Sequence, residues 1–189
     1  MTKSRDARRL TEPVTVHVRH TEQLSKQERH DLRTMLEKVF GRSRYTDESW
    51  EHCLGGVHYL LRYGDTLVAH GALVPRYLRQ GDRVLRGVYG ESMATLYDWR
   101  ELGFGSIIVA MATANVRNNY DIGVFAASKY AFYERLGWEK WRGPTFIETE
   151  HGIEPRGPAR GAVMFRLPKH STIDPDAELV TDMRKGDPW

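Results

Sequence analysis

The sequence predicts an α/β fold with a mixed, mostly antiparallel central sheet flanked by helices. Strand-like and helical segments alternate along the chain, which indicates that both kinds of element share one core. Gly-Asp turns at 64–65 and 81–82 separate three consecutive strands and predict an antiparallel meander. A strand–helix–strand unit at 88–127 predicts a right-handed parallel crossover. The predicted order is β-α-α-β-β-β-α-β-α-β-β, within one domain spanning 14–189.

The predicted domain begins after a flexible arm at 1–13. The alternating, β-branched sequence VTVHV at 14–18 is typical of a strand. Ser25 opens a capping box with Glu28, and apolar residues then recur at helical spacing. We therefore expect an amphipathic helix over 26–40.

A short second helix is predicted from Asp47 to Leu54, where the glycine pair at 55–56 ends it. The meander strands follow, and their sequences are VHYLLRY, TLVAHGALVPRYL and RVLRGVYGESMATL. The second half of the domain should then contain a helix at 105–119, a strand at 121–128, a helix at 129–137, a strand WEKW, a long Gly- and Pro-rich loop at 142–161 and a last strand AVMFRL. Gly137 is placed to end its helix in a left-handed conformation.

Composition indicates a globular protein, with 40% hydrophobic and 28% charged residues among 189. The longest apolar run, at 107–112, is too short to cross a bilayer, and no secretory leader pattern is visible. Cys53 is the one cysteine, which rules out an intrachain disulfide and fits a reducing compartment. We therefore expect a cytoplasmic protein without a membrane partner. No Cys/His cluster predicts a metal.

The net charge of +3 and the pI near 9.0 would suggest a nucleic-acid partner, but the distribution of charge argues against one. Residues 1–13 carry four basic and two acidic side chains, and without them 24 basic and 23 acidic residues remain. The C-terminal segment, residues 174–189, has five acids and two bases. This segment therefore favours a cationic ligand, and we expect no nucleic-acid partner.

The stretch RELGFGS at 100–106 lies between a predicted strand and a predicted helix. Gly103 and Gly105 allow a tight turn and a close approach of the backbone to a ligand. The following helix N-terminus offers unpaired N–H groups and a partial positive charge, which together suit a pyrophosphate.

An R-x-x-G-x-G loop at the start of the central helix resembles that of the GCN5-related N-acetyltransferase (GNAT) superfamily, as does YERLGW at 133–138. The resemblance implies that the loop holds the pyrophosphate of acetyl-coenzyme A as co-substrate. It also implies that Tyr133 faces the coenzyme sulfur. The coenzyme-binding residues expected in this way are Met93, Ala94, Thr95, Arg100, Leu102, Gly103, Phe104, Gly105 and Ser106.

A closer resemblance is to the aminoglycoside 2'-N-acetyltransferases. It rests on WEHCLGGVH at 50–58, VAH at 68–70, a glutamate seven residues before DWR at 98–100, and a terminal D-x-R-x-G-D-x-W. The similarity runs from about residue 14 to the end of the sequence. It implies a homodimeric enzyme that acetylates and inactivates an antibiotic. Two alternatives remain: an acetyltransferase for another amine, such as a polyamine or a protein terminus, and a non-catalytic acyl-coenzyme A sensor.

Acetyl transfer from a thioester requires a base for the amine, polarisation of the carbonyl and an acid for the departing thiolate. Glu91 is the candidate base, acting through a water, because it lies on the strand that leads to the coenzyme loop. Tyr133 is the candidate acid. Backbone N–H groups from Met93 to Thr95 should bind the pantetheine arm and the thioester oxygen.

The substrate side of the site is predicted from the acids, one histidine and the last residue of the sequence. If the C-terminal segment folds into the cleft, Trp189 anchors it and presents its carboxylate to an amine. In the alternative, the segment is solvated and Trp189 packs on a neighbouring surface. His52, His58 and His70 are expected to be structural histidines, and His52 is also a candidate for shaping the pocket. The predicted substrate-binding residues are Asp47, His52, Glu91, Ser92, Asp182, Asp187 and Trp189.

The charge pattern also favours one kind of aminoglycoside. Members of the family often have an acid immediately before WEH, where this chain has Ser49, and the domain is nearly neutral. We therefore expect a substrate with few amines that also carries an acidic group. Kasugamycin fits this description better than gentamicin or tobramycin. Its carboxylate would pair with Arg76, Arg79 or Arg142.

Overall fold

The computed structural model describes residues 11–156, 162–186 and 188–189, and within these ranges the chain forms four α-helices and ten strands. The helices are α1 (Lys26–Phe40), α2 (Asp47–His52), α3 (Phe104–Asn119) and α4 (Tyr130–Glu134). The strands are β1 (Val14–His20), β2 (Val57–Tyr63), β3 (Thr66–Gln80), β4 (Arg83–Thr95), β5 (Ile122–Ala127), β6 (Glu139–Lys140), β7 (Thr145–Thr149), β8 (Gly152–Pro155), β9 (Ala162–Arg166) and β10 (Leu179–Asp182).

All ten strands join one mixed sheet with the order β6-β9-β5-β4-β3-β10-β7-β8, and β2 pairs with β3 and with β1. The pairs β4/β5 and β10/β7 are parallel, and the others are antiparallel. The predicted meander of β2, β3 and β4 and the predicted parallel crossover through α3 are confirmed. The predicted fold class is therefore confirmed as well.

Side chains from alternate positions of β2 enter two separate hydrophobic clusters, because successive residues of a strand point to opposite faces. Tyr59 and Leu61 pack in the cluster that holds the buried face of α3, whereas Leu60 packs with α1. The capping box of Ser25 and Glu28 starts α1 as predicted. The helices thus cover both faces of the sheet.

Two strands, β2 and β10, pair with different parts of the same edge of β3. Residues 66–73 pair with β2, and Leu78 and Arg79 pair with β10. The C-terminal segment therefore continues the sheet beyond the end of β2, beside β3. The prediction that AVMFRL is the last strand was wrong, since β10 follows it.

The predicted loop at 142–161 was also wrong, since it contains β7 and β8. The described Gly and Pro residues of this stretch, at 143, 144, 152 and 155, stand at the ends of these strands, and residues 157–161 lie outside the described ranges. Gly143 lies against the backbone of Ala177, where a side chain would collide. Pairing with β10, more than 30 residues away, supplies hydrogen bonds that the local sequence does not show.

Three boundary predictions need smaller corrections. Helix α2 ends at His52 rather than Leu54, and α4 covers only Tyr130–Glu134 of the predicted 129–137. Gly137 adopts the left-handed conformation as predicted, with φ 82°, but it closes a turn after α4.

The two ends of the described chain are both tied to the sheet. The backbone N–H groups of Thr11 and Glu12 donate to the Tyr63 hydroxyl at 2.8 and 3.0 Å, while residues 1–10 of the predicted arm lie outside the described residues. Trp189 is only 3% exposed and packs in the α3 cluster, and β10 pairs with β3 and β7, so the alternative of a solvated C-terminal segment was wrong for these residues. Among the described residues, no helix is long and apolar enough to cross a bilayer.

Candidate active site

A cleft opens where β4 and β5 separate. The two parallel strands pair only where Gly87–Tyr89 meet Ile122–Val124. Glu91 lies two residues past the last pair, at the mouth of the gap. The predicted coenzyme residues Met93, Ala94 and Thr95 end β4 beyond it, along the same gap.

A β-bulge interrupts β4 at this point. His70 pairs with Ala94 and Ala72 pairs with Glu91, so Gly71 alone faces two residues of β4. Glycine suits this position because a Cβ on Gly71 would press on the sulfur of Met93 and on Cγ2 of Ile108, and both side chains would have to shift. The bulge turns the backbone of β4 at the residues that follow Glu91.

Ser92, inside the bulge, is a non-glycine residue with a φ of 50°, a conformation that costs roughly 1–3 kcal/mol. Its carbonyl accepts a hydrogen bond from Nδ1 of His70 at 3.0 Å, and its hydroxyl lies 2.9 Å from the Tyr45 hydroxyl. The surrounding structure therefore holds the strained backbone from two sides. Ser92 was predicted to bind substrate, but in the structure its side chain faces Tyr45.

The predicted coenzyme loop has the geometry of an anion-binding site. Gly103 is left-handed, with φ 84°, and α3 starts at the next residue. The first hydrogen bond of the helix runs from Ile107 N–H to Gly103 O at 3.1 Å, which leaves the N–H groups of residues 104–106 without an acceptor inside the helix. Gly105 allows close packing, since a Cβ would lie 3.2 Å from Oγ1 of Thr95. These residues fit a pyrophosphate.

The side chains of the loop contribute unequally. Phe104 is buried in the core, so only its backbone could meet a coenzyme, whereas Leu102 is partly buried against the same cluster. Nε of Arg100 donates to the Thr95 carbonyl at 3.2 Å, and the guanidinium lies 3.7 Å from the centre of the Tyr97 ring. Arg100 thus joins the loop to the end of β4.

Glu91 is held by a cation from the C-terminal segment. Arg184 donates from Nη2 to the Glu91 carboxylate, and the two side chains are only 16% and 13% exposed. The Arg184 guanidinium also lies 5.3 Å from the centre of the Tyr89 ring. The candidate base therefore sits beneath the C-terminal segment.

Arg76 on β3 anchors that same segment. It donates from Nε to the Asp182 carboxylate at 3.0 Å and from Nη2 to Thr181 Oγ1, the Asp182 carbonyl and the Pro188 carbonyl at 3.1 to 3.2 Å. The Arg76 side chain is 5% exposed, and burial, followed by the nearby Arg184 charge, lowers its pKa. Asp182, a predicted substrate ligand, is thus engaged by Arg76.

The remaining predicted substrate residues differ in whether they contact the C-terminal segment. Nε2 of His52 lies 2.7 Å from the Lys185 carbonyl, and burial and the Arg184 charge lower the pKa of His52. His52 therefore contacts the C-terminal segment beside Glu91. Asp47 instead pairs with Arg33 at 2.9 Å, with a side chain that is 90% exposed. Asp187 lies outside the described residues.

Tyr133 lies on α4, packed on aromatic rings. Its ring centre is 4.5 Å from that of Phe125 and 5.0 Å from that of Phe132. Burial raises the pKa of Tyr133 to about 12, so the phenol keeps its proton near neutral pH. A Cβ on Gly105 would lie 3.6 Å from the Phe132 ring, which places α4 beside the coenzyme loop.

Sequence reasoning missed Arg184 and Tyr45 as neighbours of the site. Arg184 stands inside the D-x-R-x-G-D-x-W motif, which was the available signal. Tyr45 follows α1 with no motif that points to Ser92.

Among the described residues, no group of three His, Cys, Asp or Glu side chains could hold a metal ion.

Comparison with known proteins identifies relatives. A model of the acetyltransferase (GNAT) domain family matches residues 20–141. An aminoglycoside 2'-N-acetyltransferase of Mycolicibacterium fortuitum is 33% identical over 181 residues, covering 93% of this chain and 92% of that protein.

Solved structures show a similar fold. The GNAT family N-acetyltransferase YhbS from Escherichia coli, in complex with CoA, has a TM-score of 0.62 at 11% identity, covering 90% of each chain. Escherichia coli ElaA has a TM-score of 0.60 at 17% identity, covering 82% of this chain and 99% of that one.

Proposed function

Since the chain belongs to the GNAT acetyltransferase family, and within it to the aminoglycoside 2'-N-acetyltransferases, we propose that it acetylates the 2'-amine of an aminoglycoside antibiotic and so confers resistance. The observation that carries this proposal is the position of Glu91. It lies between the bulge that leads to the coenzyme loop and a C-terminal segment that closes the other side.

Acetyl-coenzyme A supplies the activated acetyl group as a thioester. Its pyrophosphate would rest on the N–H groups of residues 103–106 at the start of α3, where the helix dipole favours an anion. Backbone N–H groups of Met93 and Thr95 would receive the thioester oxygen and the pantetheine arm. This arrangement places the acetyl carbon near the bulge, next to Glu91.

Two proton movements complete the transfer. The Glu91 carboxylate takes the proton of the attacking amine, through a water molecule, so that a neutral nitrogen reaches the acetyl carbon. The thiolate that leaves takes a proton from Tyr133, which is neutral because burial raises its pKa to about 12. Arg184 holds the Glu91 carboxylate in place until the amine arrives.

Charges around Glu91 support a substrate with few amines and an acidic group. Arg76 and Arg184 bring two buried guanidinium groups to this region, and within the described residues Nη1 of Arg76 and Nε of Arg184 have no hydrogen-bond partner. Because these two guanidinium groups already neutralise Asp182 and Glu91, the region lacks the surplus of acids that a substrate with several ammonium groups would need.

All three cations proposed for such a carboxylate already have partners, and Arg76, which pairs with Asp182, is the one whose charge also acts on Glu91. Arg142 pairs with Asp176 at 2.6 Å, and Arg79 donates to the carbonyl of Gly81. Kasugamycin, with a 2'-amine and a carboxylate, is therefore favoured over gentamicin and tobramycin, and Arg76 is the favoured partner of its carboxylate.

The test is a comparison of specificity constants by coenzyme A thiol release. We expect kasugamycin to have a higher kcat/KM than gentamicin or tobramycin. Efficient turnover of the last two with none of kasugamycin would contradict the substrate class. Turnover of a polyamine or a peptide N-terminus with no aminoglycoside acetylated would instead favour another amine substrate.

A further inference from the structure

Two imidazoles form a buried hydrogen-bonded chain behind the bulge in β4. His58 and His70 are both fully buried. Nδ1 of His58 lies 3.1 Å from Nε2 of His70, and Nε2 of His58 lies 2.8 Å from the hydroxyl of Thr21. At the other end, Nδ1 of His70 lies 3.0 Å from the carbonyl oxygen of Ser92.

The Ser92 carbonyl, at one end of this chain of hydrogen bonds, determines which atom donates in each of them. A backbone carbonyl can only accept, so Nδ1 of His70 carries a hydrogen and donates to Ser92. Burial lowers the pKa of His70 to about 3 and that of His58 to about 4, so both rings are neutral near pH 7. The unprotonated Nε2 of His70 therefore accepts from Nδ1 of His58, whose own Nε2 accepts from the Thr21 hydroxyl.

This chain controls one peptide group of β4. In a trans peptide the carbonyl of one residue and the N–H of the next point in opposite directions. His70 belongs to β3, so the Ser92 carbonyl is drawn toward that side of β4. The Met93 N–H of the same peptide then points away from the His70 ring, as it must if it is to meet a ligand in the gap between β4 and β5.

The peptide needs such support because Ser92 adopts a φ of 50° inside the bulge, where the regular strand pairing is broken. Without the His70 donor, the part-buried carbonyl would lose a partner and the peptide would relax toward a conformation with less strain. A rotation of this peptide would turn the Met93 N–H as well.

We propose that His70, oriented by His58, is a positioning residue for acetyl transfer, which aims the N–H of Met93 at the thioester oxygen. The inference rests on the proposed binding of acetyl-coenzyme A along β4, and it is independent of which amine is acetylated. A merely structural role for the pair would affect stability but leave the bound carbonyl unchanged.

The test compares His70→Leu with His70→Asn. The asparagine amide places an N–H close to the position of Nδ1, whereas leucine has no donor. The readout is the infrared frequency of acetyl-coenzyme A labelled with ¹³C at the thioester carbonyl, bound to each folded variant. A hydrogen bond from Met93 lowers this frequency relative to free acetyl-coenzyme A.

We expect His70→Leu to move the frequency toward the free value and to reduce kcat by roughly 10- to 100-fold, with acetyl-coenzyme A affinity changed only severalfold. His70→Asn should retain most of the wild-type frequency and rate. His58→Gln, which keeps His70 but removes its orienting donor, should show a smaller shift in the same direction and serves if His70→Leu does not fold.

The proposal would be overturned if folded His70→Leu showed the wild-type carbonyl frequency. If that variant does not fold, the same result in folded His58→Gln would overturn it. The infrared spectrum is recorded without an amine substrate. Failure of every aminoglycoside to react would therefore contradict the proposed substrate but would not affect the inference about His70. Failure of the wild-type protein to bind acetyl-coenzyme A would overturn both.

Discussion

Arg184 donates a hydrogen bond to the carboxylate of Glu91, which joins the C-terminal segment to the strand that borders the cleft. The two residues are 93 positions apart in the chain, and both side chains are mostly buried. One ion pair therefore connects the candidate base with the segment predicted to receive the substrate. Arg76 reinforces the connection by binding Asp182 and Pro188.

Replacing Arg184 by Met should lower the free energy of unfolding by roughly 2–4 kcal/mol, because it removes the cationic partner of a mostly buried carboxylate. The double variant Glu91→Gln/Arg184→Met should recover part of this loss. Lys185→Met is a matched control, since its pair with Glu48 is exposed and should contribute less than about 1 kcal/mol. Urea denaturation measures all four proteins. Equal losses for Arg184→Met and Lys185→Met would contradict the buried pairing.

The coenzyme loop is tested by Gly103→Asp, which should weaken acetyl-coenzyme A binding by roughly 10- to 100-fold through repulsion of the pyrophosphate. Gly103→Asn is the control, because asparagine has the same shape, tolerates a positive φ and lacks the charge. It should bind within severalfold of wild type. Calorimetry that gives similar affinities for both variants would remove the pyrophosphate from this loop.

Tyr133→Phe should reduce kcat by roughly 10²- to 10⁴-fold if the phenol protonates the leaving thiolate. The fold should persist, since phenylalanine preserves the ring packing on Phe125 and Phe132. Because the pKa of Tyr133 is raised to about 12, wild-type kcat should show no loss from this group below about pH 11. Steady-state kinetics and thermal unfolding separate the two effects. An unchanged kcat would make Tyr133 a packing residue.

The buried histidine pair predicts instability in acid. His58 and His70 titrate near pH 6.5 when unfolded but near 4 and 3 when folded, so the unfolded chain binds more protons over this interval. The free energy of unfolding should therefore keep its full value above pH 6.5. It should fall as the pH drops toward 4, by up to about 1.4 kcal/mol per pH unit for each histidine. Denaturation at a series of pH values checks this slope. His58→Gln should have a shallower slope, and an identical slope would contradict the assignment.

Local signals were sufficient for the parts of the fold that local interactions determine. The Ser25 capping box and the apolar spacing predicted α1 with its observed bounds, and the glycines at 103 and 105 predicted the start of α3 to within a residue. Glu91 was predicted on the strand that leads to that loop, and it lies on β4. Its role as the base stays a prediction.

Features that depend on pairing between distant residues were not predictable in the same way. β7 pairs with β10, which lies more than 30 residues later, and Gly143 and Pro144, which directly precede β7, suggested a loop. The network around Glu91 combines Arg76, Arg184 and His52 from three regions of the chain, and no spacing in the sequence reveals that they meet. Asp182 looked like a free ligand because its partner, Arg76, is 106 positions away.

The central claim is acetylation of an aminoglycoside at its 2'-amine, and the product formed from kasugamycin and acetyl-coenzyme A tests it most directly. Mass spectrometry and heteronuclear NMR of that product locate the acetyl group. We predict a single acetyl group on the 2'-amine, with one coenzyme A released per product. An acetyl group on a different nitrogen, or no acetylated product from kasugamycin, gentamicin or tobramycin, would contradict the account.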